Sequence, residues 1–117
     1  MTGCHRPFSA SGNSFSIHEW RGSGPAKLNV HHSDDEAWHV LDGELMFRYA
    51  DRTETATRGA IVFVAAGVPH TYSTSADARY LIILTPRLNS LVCELQADRD
   101  PTHQHEIYRR FDSELLE

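Results

Sequence analysis

Two short segments of this 117-residue chain carry side chains able to converge on one cation. The first runs Asn29-Val30-His31-His32-Ser33-Asp34-Asp35-Glu36 and continues to Gly43; the second runs from Gly59 through Gly67 and Pro69 to His70. On a strand successive side chains alternate faces, so Asn29 and His31 point the same way, about 6 to 7 Å apart, while Val30 and His32 face away. The polar turn at Ser33, Asp34 and Asp35 lets the chain return antiparallel and set Glu36 opposite His31. Gly67 and Pro69 mark a loop opening the next strand, so sheet closure is enough to bring His70 to the same point. The chemistry such a group supports is metal binding, or ligand binding in the pocket around it.

The elements that must position these residues are strands first and helices last. Segments Phe15 to Trp20, Lys27 to His32, Glu36 to Asp42, Glu44 to Tyr49, Thr53 to Thr57, Ala60 to Ala65, His70 to Ser75 and Arg79 to Thr85 are short, rich in aromatic and β-branched residues, and punctuated by Gly, Pro or Asp. Many short strands with regular turns predict an all-β sandwich or closed barrel. After Pro86 the pattern changes: Leu88, Leu91, Val92 and Leu95 recur at helical spacing, predicting a helix over Arg87 to Gln96. A break at Asp98 to Pro101 precedes a second candidate helix from about Thr102 to Leu116. The resulting plan is an N-terminal arm over 1–13, a barrel core over 14–86 and a helical tail over 87–117, packed on the barrel or a partner.

The ordered pair of segments resembles the two motifs of the cupin superfamily. His31-x4-Glu36-x6-Gly43 matches the first in spacing and residue type, and Gly59-x7-Gly67-x2-His70 matches the second. The resemblance covers roughly Ser14 to Thr85 and is to the small single-domain, quercetin-dioxygenase-like bacterial members. It departs at four positions: Asn29 stands where the family has its first histidine ligand, Ala65 for a proline, Thr74 for an asparagine, and Gly24 sits one residue too close to Asn29. The resemblance implies a double-stranded β-helix, or jelly-roll barrel, with short C-terminal helices. It implies a divalent transition metal (Fe, Mn, Ni, Co or Zn) held by His31, Glu36 and His70, with Asn29 as a candidate fourth ligand. Two histidines and a carboxylate are the ligand set of non-haem Fe(II) oxygenases. The implied activity is metal-dependent, dioxygenase-like or isomerising, on a small oxygenated organic molecule. The alternative is a non-catalytic cupin that holds a sugar or organic acid. The family also implies a homodimer.

Parity extends the pocket. Trp38 and Val40 share the face of Glu36, and Tyr72 that of His70, so all three are candidate pocket residues; Glu36 and Tyr72 are also candidate catalytic groups, as base and as proton or hydrogen-bond donor. His5, His18, His39, His103 and His105 stand outside the motifs, and His39 alternates out of phase with Glu36. Asp34 and Asp35 lack a calcium-binding loop around them and read as solvated turn residues.

Composition narrows the classes. A formal charge of −5, a pI near 5.9 and a single lysine, Lys27, argue against nucleic-acid or anionic-membrane binding. No run of 18 apolar residues and no signal-like segment is present, which together with Cys4 and Cys93 read as separate thiols gives a cytoplasmic expectation.

Overall fold

A computed structural model describes residues 8–22 and 27–117. Cys4, His5, Gly24 and most of the Gly22 to Pro25 turn lie outside the described residues. Eight strands fall where the sequence places them: β2 (Ser16–Arg21), β3 (Asn29–His31), β4 (Glu36–Asp42), β5 (Leu45–Tyr49), β6 (Thr53–Ala56), β7 (Ile61–Val64), β8 (His70–Thr74) and β9 (Arg79–Leu84). Two more appear at the ends, β1 (Phe8–Ser11) and β10 (Ser113–Leu115). Among the described residues these strands form two antiparallel five-stranded sheets, ordered β1-β2-β9-β4-β7 and β10-β3-β8-β5-β6, packed as a jelly roll.

Alternation decides which side chains enter the core. On β4 the buried set is Glu36, Trp38 and Val40, and on β5 it is Leu45, Phe47 and Tyr49. Trp38 is fully buried and packs edge-on against Phe47, with ring centroids 4.9 Å apart, and against Tyr72 at 5.5 Å. Offset and edge-to-face geometry of this kind adds to the burial that holds the two sheets together.

The connection by which the chain crosses from β4 in one sheet to β5 in the other turns on Gly43, at φ 72. An added Cβ there would lie 2.8 Å from the Ala78 Cα, with the Ser75 and Asp77 side chains closer still. Left-handed strain and this backbone contact together put the cost of Gly43→Ala at about 2 kcal/mol, read as a lower urea midpoint. An unchanged midpoint would show that the turn yields freely.

The tail departs from a plain pair of helices. Helix α1 (Pro86–Ala97) starts one residue early because Pro86 suits the first helical position and the Thr85 hydroxyl accepts from the Leu88 N–H at 3.2 Å. After a 3₁₀ turn at Pro101–His103, helix α2 (Gln104–Arg110) stops early. Asp112, at φ 53, reverses the chain, and β10 pairs with β3, placing Ser113 opposite His31. The C-terminus is thereby the edge strand of one sheet. At the other end, Phe8–Ser11 is not a free arm; it pairs with β2. Cys93, on α1, is not a free thiol, which corrects the reading of two separate thiols.

Candidate metal centre

Three strands build the site. β3 turns His31 inward and His32 outward, the latter facing Glu114 at 3.6 Å, so the register is the one in which His31 shares a face with Asn29. Antiparallel pairing sets Asn29 directly across from His70 on β8. β4 returns Glu36 to the same interior. The loop before His70 is fixed from two sides: the Gly67 N–H donates to the His31 carbonyl at 2.7 Å, and the Ala66 N–H donates to the Asp35 carboxylate at 2.8 Å. Gly67 takes φ 87, a conformation that favours glycine. Asp34 pairs with Arg87 at 3.6 Å, so both turn acids act structurally.

His31, Glu36 and His70 are all buried, and their ligand atoms lie within 4.8 Å of one another. Among the described residues they are the group able to hold a metal ion. Nε2 of His31 and Nε2 of His70 each stand 3.2 Å from the same Glu36 Oε1. Donors about 2.1 Å from a shared metal are separated by about 3.0 Å at right angles and about 3.4 Å at the tetrahedral angle, so this spacing fits a first coordination sphere.

Hydrogen bonding at the far ring nitrogens fixes which atoms face inward. His70 Nδ1 lies 2.9 Å from the Val68 carbonyl, which can only accept, so Nδ1 carries the proton. His31 Nδ1 lies 2.8 Å from the Ser113 hydroxyl, whose own proton goes to the Phe111 carbonyl at 3.1 Å. Ser113 must therefore accept, and His31 also carries its proton on Nδ1. In their neutral forms both imidazoles aim lone pairs at a carboxylate oxygen, and three acceptors meet with no donor among them. Only a proton or a cation relieves that arrangement, and a buried, acceptor-lined point of this kind suits a metal.

Without metal, protons relieve the same crowding. Burial alone would raise the Glu36 pKa, but hydrogen bonds and charge from His31 and His70 outweigh it and bring it to about 2. Burial disfavours protonated His70, yet the Glu36 carboxylate and the Val68 carbonyl raise its pKa above the ordinary histidine value.

Asn29 is buried, and its amide nitrogen donates to the Lys27 and His70 carbonyls, both at 3.1 Å. Both amide protons are thus used, and Oδ1 is the remaining atom the residue can offer to the cavity it lines. The cavity encloses about 480 Å³ and includes the three ligand candidates, Trp38 and Tyr72. Val40 is not among its walls: two residues beyond Trp38 on β4, it is covered by the core, which corrects its assignment to the pocket. The Tyr80 hydroxyl donates to the Gly22 carbonyl at 3.2 Å and accepts from Tyr72 at 3.0 Å, so the Tyr72 proton points to Tyr80. Burial and Tyr80 push the Tyr72 pKa well above that of a free phenol. The buried Trp38 indole N–H lies close enough to Tyr72 to oppose that rise slightly, although no acceptor sits within normal hydrogen-bond geometry.

Histidines outside the motifs do other work. His18 is buried beside the Ser16 hydroxyl at 2.7 Å, and His103 pairs with Asp98 at 2.8 Å. Motif reading misses Ser113 and the tail residues that wall the cavity, among them Leu91, Leu95 and Tyr108.

Known proteins place this geometry. A curated relative, an uncharacterized protein of Streptomyces coelicolor, is 34% identical over 56 residues, 47% of this chain and 53% of that protein, so the chain spans about half the length of the curated relative it matches. A cupin-2 domain containing protein from Shewanella frigidimarina superposes with a TM-score of 0.57 at 20% identity, covering 70% of this chain and 83% of that one. A protein from Neisseria meningitidis gives a TM-score of 0.58 at 17% identity, covering 73% and 88%. The cupin domain family model matches residues 17–84, the span that holds all three ligand candidates, and the chain belongs to the cupin family.

Proposed function

We propose that this cupin is a metal-dependent enzyme acting on a small oxygenated organic molecule, with a divalent transition metal held by His31, Glu36 and His70. The observation that carries the reading is the meeting of two Nε2 lone pairs on one Glu36 oxygen. A metal in that position supplies a Lewis acid with open coordination sites for substrate oxygen. Asn29 Oδ1 orients a ligand from beside His70, and Trp38 and Tyr72 wall the end of the cavity at the triad. Glu36 serves first as a ligand and second as a base, because a carboxyl group with a pKa of about 2 retains a proton poorly.

Elemental analysis of protein purified without chelator or a histidine tag chooses among Fe, Mn, Ni, Co and Zn. Oxygen uptake on flavonols, catechols, β-diketones and thiols then tests a dioxygenase-like oxidoreductase. The second reading, a holder of a small ligand without turnover, is favoured by the Tyr72 proton's commitment to Tyr80, which takes away a proton donor to the ligand, while the one carboxylate on the cavity wall among the described residues, Glu36, is engaged by the two histidines. Silence across that panel from fully loaded protein selects it. No helix among the described residues is long and apolar enough to cross a membrane. The bonded state of Cys93 removes the thiol argument for the cytoplasm, which remains an expectation of the sequence alone.

The homodimer also belongs to this proposal. The outer face of the β1-β2-β9-β4-β7 sheet carries a cross-strand row Ile17, Ile83, Ala37, Phe63, flanked by Ile61 beside His39. Phe8, Ile61, Phe63 and Ile17 are 72%, 74%, 62% and 36% exposed. Side chains of roughly 150 to 250 Å² each make this about 400 Å² of apolar surface, at the upper end for a monomer. With half-buried Leu41, Leu81 and Ile83 beside it, the face approaches the roughly 800 Å² each partner contributes to a standard interface, and a second copy is the self-complementary occupant. Phe63→Glu is expected to weaken association by about 2 kcal/mol, seen by light scattering as a shift from dimer to monomer. A wild-type monomer at high concentration would remove the dimer from the proposal.

A further inference from the structure

The cavity is divided chemically. At its buried end stand His31, Glu36 and His70; the middle is walled by Trp20, Ile82, Leu84, Leu91 and Leu95; and two exposed cations, Lys27 and Arg99, stand at the open end. Among the described residues the only acid on the wall is Glu36, whose charge is engaged by the two histidines. This mouth is therefore positive on a chain whose formal net charge is −5 and whose single lysine is placed there. Lys27 is shared with the field of Glu117.

Among the described residues Arg99 has no such partner. It lies between Asp98 and Asp100 in sequence, but the Asp98 carboxylate pairs with His103 at 2.8 Å and Asp100 accepts from the Thr102 N–H at 2.9 Å and hydroxyl at 2.8 Å. Both adjacent carboxylates are turned into the α1–α2 connection, and Arg99 makes no ion pair among the described residues while lining the cavity. A guanidinium left unpaired beside an apolar chamber is a receptor for a carboxylate. A polyol could find partners at Asn29, Gln96 and Gln104 but not along Ile82, Leu84, Leu91 and Leu95, where its hydroxyls would lose water unpaired, whereas an apolar body suits that stretch. A cationic ligand meets Lys27 and Arg99 on entry.

We propose that the cavity takes an amphipathic organic acid, with its carboxylate at Arg99, an aromatic or branched body along the α1 and β9 wall, and an oxygen at the far end facing His31, Glu36 and His70. The far-end contact rests on the metal reading above; the carboxylate contact does not. Leu91, Leu95 and Arg99 all follow residue 84, where the family match ends, so ligand choice is assigned to the tail rather than to the shared barrel motifs.

Calorimetry on the zinc-loaded full chain tests this with 3-(4-hydroxyphenyl)propanoate, its methyl ester and glucose. The acid is expected to bind about tenfold tighter than the ester, a preference that Arg99→Gln reduces by about fivefold to tenfold and Arg99→Lys largely keeps, with ester affinity unchanged. Equal binding of acid and ester, tighter binding of glucose, no acid binding at millimolar concentration, or an Arg99→Gln variant that matches wild type each overturns it. Loss of acid binding in His70→Ala with no effect of Arg99→Gln places the carboxylate at the triad and overturns it as well. Zinc content is read separately: if His70→Ala carries as much zinc as wild type, the metal reading falls whatever the acid–ester ratio.

Discussion

His70→Ala is expected to abolish stoichiometric metal and, with it, most of the metal-dependent rise in melting temperature. Metal that binds only the folded chain stabilises it by about 4 kcal/mol at a thousandfold excess over Kd, which for a domain of this size is a shift of roughly 15 °C. The variant loses one of three convergent ligands and leaves Glu36 and His31 to coordinate alone, so its gain on metal addition should shrink to a few degrees. His70 is a fair place to cut because its backbone is held independently of the ring, by pairing with Asn29 and Tyr49. His32→Ala, one residue from His31 but on the outer face, should bind metal as wild type does. A variant at His70 that retains full metal and full stabilisation would mean the ion sits elsewhere.

The same site gives metal-free and metal-loaded protein opposite responses to pH. In the metal-free chain the folded-state pKa of His70 is raised, so its contribution is fully present below the unfolded value of about 6.5 and disappears as pH rises through the folded value. Glu36 works the other way: its pKa is lowered to about 2, so its contribution is present above the unfolded carboxyl value and is lost as pH falls toward 2. Metal-free protein should therefore lose stability as pH rises above about 6.5. Metal-loaded protein should gain it over the same range, because ligand imidazoles must shed protons to bind, and apparent affinity falls about tenfold per pH unit for each proton taken up. Melting curves with and without chelator at several pH values check this; parallel slopes would show that no metal competes with protons at His70.

The parts legible in the sequence are those governed by local periodicity. Strand alternation is enough to put Asn29 and His31 on one face, Glu36 and Trp38 on another, and His39 outside, and the structure keeps each of these parities. The parts that are not legible are set by pairing across the fold. Phe111, Leu115 and Leu116 look like a helix face, yet Leu115 enters the core as part of a strand because β3 offers an open edge. The available signal is Asp112, a residue type that tolerates the left-handed conformation which ends α2. Phe8–Ser11 reads as part of an arm because the N-terminal segment is polar and carries Gly3, Pro7 and Gly12; only the edge of β2 makes it a strand. The direction of the Tyr72 hydroxyl is likewise a property of Tyr80 and Gly22, not of its own segment.

Ser113→Ala should weaken metal binding by about 10- to 100-fold while leaving the fold intact. Ser113 is almost fully buried, sits directly across from His31 in the β3–β10 pair, and stands outside the span that marks the family. Its hydroxyl accepts from His31 Nδ1 because its own proton is committed to the Phe111 carbonyl, and that single orientation keeps Nε2 of His31 free to coordinate. Alanine removes the acceptor, and the His31 ring can then carry its proton on Nε2, where it hydrogen-bonds Glu36 instead of leaving a lone pair for metal. Nitrogen NMR of the imidazoles reads this directly: metal-free wild type should show His31 protonated at Nδ1 when neutral, and Ser113→Ala a mixture shifted toward Nε2. Ser113→Thr keeps the hydroxyl and should restore both the tautomer and most of the affinity, whereas a purely steric role would make threonine worse than alanine. Unchanged tautomer and affinity in Ser113→Ala would confine β10 to closing the sheet and leave His31 orientation to β3 alone.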